Sequence, residues 1–167
     1  VWSAEPAATI IPLTLAAEGA RAFVQAGRSV VCLDLESGNE VWRAEPEQAE
    51  VRNRRVGWSV ATLVAHDGIV LWADGRRLHA LEADSGNALW ACPCRPTFRS
   101  PVDVFVIRGI VWLGPEFTEG RDLRTGRVVE QRQTADALWT VGHHHRCYRN
   151  KATEIGRASC RERVCHR

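Results

Sequence analysis

The sequence lacks the features that mark membrane-spanning and nucleic-acid-binding proteins. Its apolar runs fall well short of the roughly 18 residues that a transmembrane helix needs, so no transmembrane segment is expected. The 22 Lys and Arg residues are nearly balanced by 20 Asp and Glu, which leaves a net charge of only +2. Without a surplus of positive charge, no attraction to nucleic acid or to a membrane surface is predicted.

Methionine is absent from all 167 residues, and the chain begins at Val1. We therefore expect the natural start of the protein to lie upstream of this sequence. The first residues consequently carry no information about a signal peptide or about the cellular compartment.

The sequence also lacks the short motifs of common enzymes. It contains no Walker loop, no dinucleotide-binding glycine pattern, no zinc-protease motif and no nucleophile elbow. With 45% hydrophobic and 25% charged residues, its composition is that of an ordinary globular protein. Composition therefore indicates a folded domain without indicating an activity.

The sequence does contain a repeated stretch of eleven residues. Residues 32–42 read CLDLESGNEVW, and residues 80–90 read ALEADSGNALW. Residues 120–130 form a weaker copy, GRDLRTGRVVE, in which Glu130 stands where the other copies have tryptophan.

A second repeated stretch extends the pattern towards the N-terminus. Residues 1–6 read VWSAEP and recur almost unchanged as VWRAEP at residues 41–46. The repeat ends lie at spacings of 40, 48 and 40 residues, at Trp2, Trp42, Trp90 and Glu130. A period of this length, made of short apolar runs and turn residues, is typical of a propeller or a similar array.

Each copy has the chemistry of a tight turn between two strands. Glycine accepts positive φ, and Ser or Asn side chains bond back to the nearby backbone. The acid three residues before the Ser or Thr is placed to accept hydrogen bonds from the turn itself. The tryptophan four residues after the glycine lies on the outgoing strand, where its ring can bury against a neighbouring repeat. These positions form the predicted structural docking set: Trp2, Trp42, Trp90, Gly38, Gly86 and Gly126.

The remaining residues of each repeat alternate short apolar runs with glycine-rich turns. Asp74-Gly75, flanked by apolar runs, is the strongest hairpin signal in the chain. Four short strands per repeat and no helical periodicity predict antiparallel blades. The predicted fold is all-β: a partial β-propeller of about three four-stranded blades over residues 1–153, with further blades of the same chain expected outside the sequence.

The pattern Ala-x-Asp-x-x-Thr/Ser-Gly-x-x-x-Trp resembles the tryptophan-docking motif of β-propellers built from pyrroloquinoline-quinone-like (PQQ-like) repeats. The resemblance is strongest at residues 80–90, good at 32–42 and degenerate at 120–130. It implies a bacterial protein, located in the periplasm or otherwise outside the cytoplasm.

Two functions are implied by this resemblance. One is a non-enzymatic scaffold that binds protein or other ligands on its faces, similar to the propeller lipoprotein of outer-membrane barrel assembly. The other is a fragment of a PQQ-dependent quinoprotein dehydrogenase. Those enzymes use an adjacent pair of cysteines, a calcium ion and a catalytic Asp, and Cys92 and Cys94 are not adjacent. We therefore favour the scaffold, with no catalytic residue and no cofactor assigned, and keep PQQ as the alternative.

The segment after the third repeat contains possible metal ligands. If residues 142–147 form a strand, His143, His145 and Cys147 alternate onto one face, and two imidazoles with a thiolate can bind Zn²⁺ or copper. The alternative is a polar strand or loop without a metal. The surrounding His-His-Arg-Cys-Tyr-Arg run also resembles one found in long bacterial proteins of the PQQ-like class.

The other cysteines and tryptophans favour structural roles. Cys32 lies in an apolar run and is predicted to be a small buried side chain. Cys92 and Cys94 are too closely spaced for a Cys-x-x-Cys site. The tryptophans of predicted strands are expected in the core, with quinone stacking as the alternative: Trp58, Trp72, Trp112 and Trp139.

The last residues depart from the repeat pattern. Residues 155–164, IGRASCRERV, resemble a translated sequencing adapter. We therefore interpret residues 154–167 as an artefactual tail and exclude them from the fold.

Overall fold

A computed structural model describes residues 8–45, 61–94, 102–114, 119–131, 140–141 and 146–147. Trp2, Trp58, Trp139 and the predicted tail at residues 154–167 lie outside this described part. The described residues form strands joined by turns and contain no helix. The strands are β1 (Ile10–Glu18), β2 (Arg21–Ala26), β3 (Ser29–Asp34), β4 (Glu40–Ala44), β5 (Thr62–His66), β6 (Ile69–Ala73), β7 (Arg77–Glu82), β8 (Ala88–Pro93), β9 (Val104–Ile107), β10 (Ile110–Leu113), β11 (Glu119–Asp122), β12 (Val128–Gln131), β13 (Thr140–Val141) and β14 (Arg146–Cys147).

The strands assemble into three four-stranded antiparallel sheets, each in sequential order. Sheet 1 contains β1–β4, sheet 2 contains β5–β8 and sheet 3 contains β9–β12, and the short pair β13–β14 follows. Within each sheet, consecutive strands pair with one another, as expected when their connections are tight hairpins. The prediction of three four-stranded antiparallel blades is confirmed.

The hairpin turns lie where the glycines predicted them. Gly75 has a φ of +98° in the turn between β6 and β7, so the Asp74-Gly75 hairpin signal is confirmed. The turns between the third and fourth strands of each sheet hold Gly38, Gly86 and Gly126 at φ values of +75°, +74° and +68°. Glycine adopts this left-handed region without the steric cost that a side chain would add.

Each sheet carries a β-bulge in its outermost strand at the same point of the repeat. In sheet 1, Cys32 pairs with Trp42 but Leu33 pairs with Glu40, which leaves Val41 as the extra residue. The same shift leaves Leu89 extra in sheet 2 and Val129 extra in sheet 3. These three residues are large hydrophobics exposed at 41%, 45% and 56%. A bulge sharpens the local twist and redirects the following side chain, which here is the tryptophan position of the repeat.

Two apolar cores lie between the sheets. The core between sheets 1 and 2 contains Phe23, Val30, Cys32, Val70 and Trp72, and Trp42 packs against it. The core between sheets 2 and 3 contains Leu71, Leu78, Cys92, Val111 and Leu123, and Trp90 packs against it. Strand β6 is buried along its whole length because it presents one face to each core. We call these contacts the first interface and the second interface.

Within the described ranges, no helix has the length and apolarity to cross a membrane.

Candidate functional site

The turn that begins each docking motif is held together by its own acid. The Oδ1 atom of Asp34 accepts hydrogen bonds from the Ser37 amide at 2.9 Å and the Ser37 hydroxyl at 2.8 Å. Asp122 binds the amide and hydroxyl of Thr125 in the same way, at 2.8 Å each. Glu82 accepts the Ser85 hydroxyl in the second copy. The predicted role of the acid is therefore confirmed in all three copies.

These hydrogen bonds change the acidity of the turn carboxylates. The Ser37 amide and hydroxyl hold the pKa of Asp34 below its ordinary value, and the Thr125 hydroxyl and amide do the same for the pKa of Asp122. A carboxylate that accepts several N–H and O–H donors favours its charged form. Both turns are therefore built around an ionised acid.

The structure places Trp42 across the first interface. Its ring lies directly over Gly86, so closely that a Cβ atom on this glycine would be 2.7 Å from Cε3 of the indole. The indole Nε1 donates a hydrogen bond of 2.8 Å to the carbonyl of Ala83, in the same turn. The side-chain-free surface of Gly86 and the Ala83 carbonyl together form the binding site for the Trp42 indole.

The second interface repeats this geometry with Trp90. A Cβ atom on Gly126 would be 2.6 Å from Cδ2 of this indole. The Nε1 atom of Trp90 donates to the Leu123 carbonyl at 2.9 Å. In both interfaces the carbonyl belongs to the residue three positions before the glycine, so the repeat sets the hydrogen bond as well as the ring contact.

Gly38 and Glu130 are the two positions of the repeat pattern at which no indole contact is described. Gly38 has the same left-handed φ as Gly86 and Gly126, whereas Trp2, which is equivalent to Trp42 and Trp90 in the repeat, lies outside the described residues. Glu130 follows the bulge in sheet 3 and is partly buried, at the position that Trp42 and Trp90 hold in their sheets. The third repeat therefore presents a carboxylate where the first two present an indole.

Charged contacts also join the sheets at the ends that carry these turns. The Glu18 carboxylate accepts hydrogen bonds from the amides of Asp67 at 2.7 Å and Gly68 at 3.0 Å, across the first interface. Across the second interface, the Arg124 guanidinium donates to Asp67 Oδ2 at 2.7 Å. Asp67 thus contacts both neighbouring sheets, since its amide donates to Glu18 and its side chain accepts from Arg124.

A connected set of buried polar and aromatic contacts crosses the first interface, near the strand ends that lie opposite the docking turns. Trp72 Nε1 donates to Gln25 Oε1 at 2.9 Å, and the Trp72 ring stacks on His79 with centroids 5.2 Å apart. His79 Nε2 lies 3.3 Å from Asp74 Oδ2, and these two side chains are only 5% and 3% exposed. Sequence analysis does not predict these contacts, because the residues that make them come from two repeats and share no motif.

Asp74, the acid at the end of these contacts, is stabilised in its charged form. Burial by itself raises the pKa of Asp74, but hydrogen bonds from His79 and from the amides of Arg77 and Arg76 outweigh burial and lower it. The amides donate to Asp74 Oδ1 at 2.7 Å each, while His79 approaches Oδ2. Both carboxylate oxygens therefore have donors, as burial of a charge requires.

The side chains of Cys32, Cys92 and Cys94 are free thiols in the apolar cores. Cys32 is 0% exposed, which confirms its prediction as a buried side chain. Cys92 and Cys94 are 3% and 7% exposed and point to the same core, as alternate residues of one extended segment do. Burial raises the pKa of the Cys94 thiol to about 12, so this thiol is unreactive at neutral pH.

The predicted metal ligands fall largely outside the described residues. His143 and His145 are not described, and for Cys147 only the backbone pairing with Thr140 is known. Among the side chains that the structure does describe, no three His, Cys, Asp or Glu converge on a possible metal position.

Four-stranded sheets pinned side by side by repeated indoles define this chain as a β-propeller of PQQ-like repeats. Residues 26–149 match the family model described as outer membrane protein assembly factor BamB. The chain belongs to this family of PQQ-repeat proteins.

Individual proteins similar to this chain include BamB and dehydrogenases. Quinohemoprotein alcohol dehydrogenase ADH IIB of Pseudomonas putida is 35% identical over an alignment that covers 37% of this chain and 9% of that enzyme. BamB from Moraxella catarrhalis superimposes with a TM-score of 0.52 at 23% identity, covering 77% of this chain and 45% of BamB. A europium-containing methanol dehydrogenase gives a TM-score of 0.52 at 19% identity, covering 77% of this chain and 26% of the enzyme.

The chain therefore spans less than half the length of these relatives. The two superpositions show a shared fold. They assign no function to this chain, because one fold can serve many functions.

Proposed function

We propose that this chain is part of a non-enzymatic PQQ-like repeat propeller that acts as a scaffold, binding protein partners on its faces. The observation that carries the proposal is the family match over residues 26–149, to a protein whose described role is assembly of outer membrane proteins. We further propose, by the same relationship, that the whole protein acts outside the cytoplasm.

The use of the aromatic side chains supports this proposal. Trp72 is 0% exposed and already has a stacking partner, His79, and a hydrogen-bond acceptor, Gln25. Trp112 is 2% exposed and packs among Phe105, Ile107 and Ile110. Both rings are fully committed to packing, which leaves neither as a platform for a stacked quinone.

The cysteines support it as well. The quinone-dependent enzymes that this repeat resembles use two adjacent cysteines, and no two of the six cysteines in this sequence are adjacent. Cys92 and Cys94 are separated by Pro93 and point into the core between sheets 2 and 3.

The docking set is proposed as the structural basis of the scaffold. Trp42 and Trp90 hold successive blades in fixed orientation through Gly86 and Gly126. By the same repeat geometry, Trp2 docks on Gly38. The faces of such an array are rigid, because each blade is fixed to its neighbour by ring packing and a directed hydrogen bond.

The second candidate is a fragment of a quinoprotein dehydrogenase, favoured by the 35% identity to the alcohol dehydrogenase from Pseudomonas putida. The two candidates are separated by adding PQQ and calcium to the full-length protein and recording the absorbance spectrum after gel filtration. A scaffold gives no retained quinone absorbance and no dye-linked alcohol oxidation. Retained quinone would contradict the scaffold proposal.

A positive test uses photo-crosslinking in cells. A benzophenone amino acid placed at the exposed turn residues Glu36 and Arg127 is expected to crosslink a defined protein partner if these turns lie on a binding face. Placement at the buried position Val70 serves as the control and should give no intermolecular product.

Metal binding by His143, His145 and Cys147 stays a separate prediction. Titrating Zn²⁺ or Cu²⁺ into the parent chain and a His145→Ala variant tests it, and equal uptake by the two would remove it.

A further inference from the structure

One difference between the two interfaces lies at a pair of equivalent positions in the turns. Asp67 is the first turn residue after β5, and Gly19 is the first turn residue after β1. Arg124 lies two residues after Asp122 in its docking turn, and Asp84 lies two residues after Glu82. In the second interface, Arg124 and Asp67 meet in an ion pair of 2.7 Å. The first interface therefore has Gly19 and Asp84 where the second has a closed ion pair.

A pocket of about 350 Å³ opens at this place in the first interface. Its walls include Gly19 and Asp84, together with Glu18, Arg21 and Asp34. Gly19 has no side chain to fill the gap, and a Cβ atom added to it would meet no atom within 4 Å. The pocket thus occupies the space that the Arg124–Asp67 pair fills one interface further along.

The charge of the pocket is negative, and one of its acids is available. Arg21 pairs with Asp34 at 3.2 Å, and Glu18 accepts the Asp67 and Gly68 amides. Asp84 is exposed, and within the described part of the chain no hydrogen bond or ion pair to its carboxylate is found. Three carboxylates against one guanidinium favour a cationic ligand.

We infer that this pocket binds an arginine side chain of a protein partner, whose guanidinium pairs with Asp84. A planar guanidinium matches a carboxylate through two parallel hydrogen bonds, which a lysine ammonium does not. The second interface shows that this space accommodates a guanidinium paired with a carboxylate; there the guanidinium belongs to Arg124, at the position of Asp84, and the carboxylate to Asp67, at the position of Gly19. The inference rests on the proposed scaffold function and specifies the chemistry of one contact on its face.

The test uses the 167-residue chain and the peptide acetyl-Gly-Arg-Gly-amide, followed by amide chemical shifts in ¹⁵N-edited NMR spectra. We expect shift changes concentrated at Gly19, Gly68 and Asp84, saturating with peptide and weakening as salt rises. The peptide acetyl-Gly-Glu-Gly-amide should leave these amides unchanged. Shift changes spread evenly over exposed carboxylates, or equal for both peptides, would overturn the inference.

Variants locate the contact. Asp84→Asn is expected to weaken binding of the arginine peptide roughly two- to fivefold, since it removes one exposed charged hydrogen-bonding partner. Glu36→Gln is the matched control, because Glu36 holds the same turn position in sheet 1, outside the pocket, and should bind like the parent. Unchanged binding in Asp84→Asn would also overturn the inference.

A closing variant provides the complementary result. The double substitution Gly19→Asp with Asp84→Arg reproduces the Asp67 and Arg124 pair with its order of residues preserved, and Asp67 itself tolerates a φ of +51°. This variant should fold like the parent and lose peptide binding. Because these measurements need neither the partner nor a quinone, their failure would leave the scaffold proposal standing, and retained quinone would contradict that proposal without affecting them.

Discussion

At the scale of single residues, Gly86 and Gly126 each meet two constraints at once. Gly86 needs a left-handed backbone, with φ at +74°, and it must also lack a side chain because the Trp42 ring lies over it. Gly109 shares the φ of +74° but has no atom within 4 Å of an added Cβ. Substitutions at these two glycines therefore distinguish the cost of backbone strain from the cost of displacing the ring.

We expect Gly86→Ala to destabilise the chain more than Gly109→Ala. Both variants meet the left-handed strain of about 1–2 kcal/mol, and Gly86→Ala adds the displacement of an indole, roughly another 1–3 kcal/mol. Urea unfolding followed by tryptophan fluorescence measures the two free energies of unfolding. Equal losses would show that the ring contact at Gly86 contributes nothing.

The buried acid Asp74 has a pKa below its ordinary value, so its contribution to stability has a defined pH range. Because the folded pKa is the lower one, the stabilisation is present above the unfolded value of 3.8 and is lost as pH falls through the folded value. Asp74→Asn is expected to cost about 1–3 kcal/mol at pH 7 and to flatten the acid part of the stability profile.

The measurement is the free energy of unfolding in urea at several pH values between 7 and 3. Asp84→Asn is the control, since Asp84 is exposed and a surface substitution changes stability by about 0.5 kcal/mol or less. If Asp74→Asn keeps the parent's dependence of unfolding free energy on pH, Asp74 does not contribute to that dependence. The lowered pKa values of Asp34 and Asp122 keep part of the acid dependence in every variant.

At the scale of strands and turns, the unit that joins the sheets is a bulged outer strand with the turn that it meets. The bulge residue Val41 is exposed, and the next residue, Trp42, reaches the neighbouring sheet. The same relation holds for Leu89 and Trp90. Strict alternation along the strand does not predict this, because the bulge inserts one residue between the paired positions.

Trp42→Phe and Trp90→Phe each keep an aromatic ring but remove the indole N–H, which leaves the Ala83 or Leu123 carbonyl without its donor. We expect each to cost about 1–3 kcal/mol. Because the two rings lie in different interfaces and share no partner, the double variant should show the sum of the two losses.

Chemical denaturation of the two single variants and the double variant tests this expectation. Val41→Thr is the control in the same strand, and it should stay within about 0.5 kcal/mol of the parent. If the double variant loses much less stability than the sum of the two single losses, the two interfaces open together.

At the scale of the whole molecule, the free cysteines report on opening of the cores. Cys32 lies in the core of the first interface, and Cys92 and Cys94 lie in that of the second. Alkylation requires both access and a thiolate. With a pKa of about 12, the Cys94 thiol is ionised to roughly one part in 10⁴ at pH 8.

We expect iodoacetamide at pH 8 to leave all three thiols unmodified in the folded chain and to modify them fully in urea. Peptide-resolved mass spectrometry distinguishes them from the other cysteines. At intermediate urea concentrations, full modification of Cys92 and Cys94 while Cys32 stays protected, or the reverse, would show that the two interfaces open separately. Rapid labelling of any of the three in buffer would contradict the described cores.

Much of this fold could be read from the sequence because its determinants are local. Ser-Gly-Asn and Thr-Gly-Arg fix the turns through positive φ and side-chain bonds within four residues, and the acid before each turn confirms its expected role. The repeat period then assigns every turn to the same place in a four-stranded sheet, which the strand order confirms. Short-range chemistry repeated along the chain determined the architecture.

The contacts between residues that are distant in sequence depend on how the sheets pack together. The Gln25 side chain accepts the Trp72 indole across 47 residues of sequence, and the Asp74–His79 pair is buried only because two sheets pack over it. The open pocket beside Asp84 likewise exists because Gly19, from another repeat, lies opposite. The physical reason is that a repeat motif specifies a turn and a ring, whereas a buried contact depends on the packing of two sheets whose side chains vary from repeat to repeat.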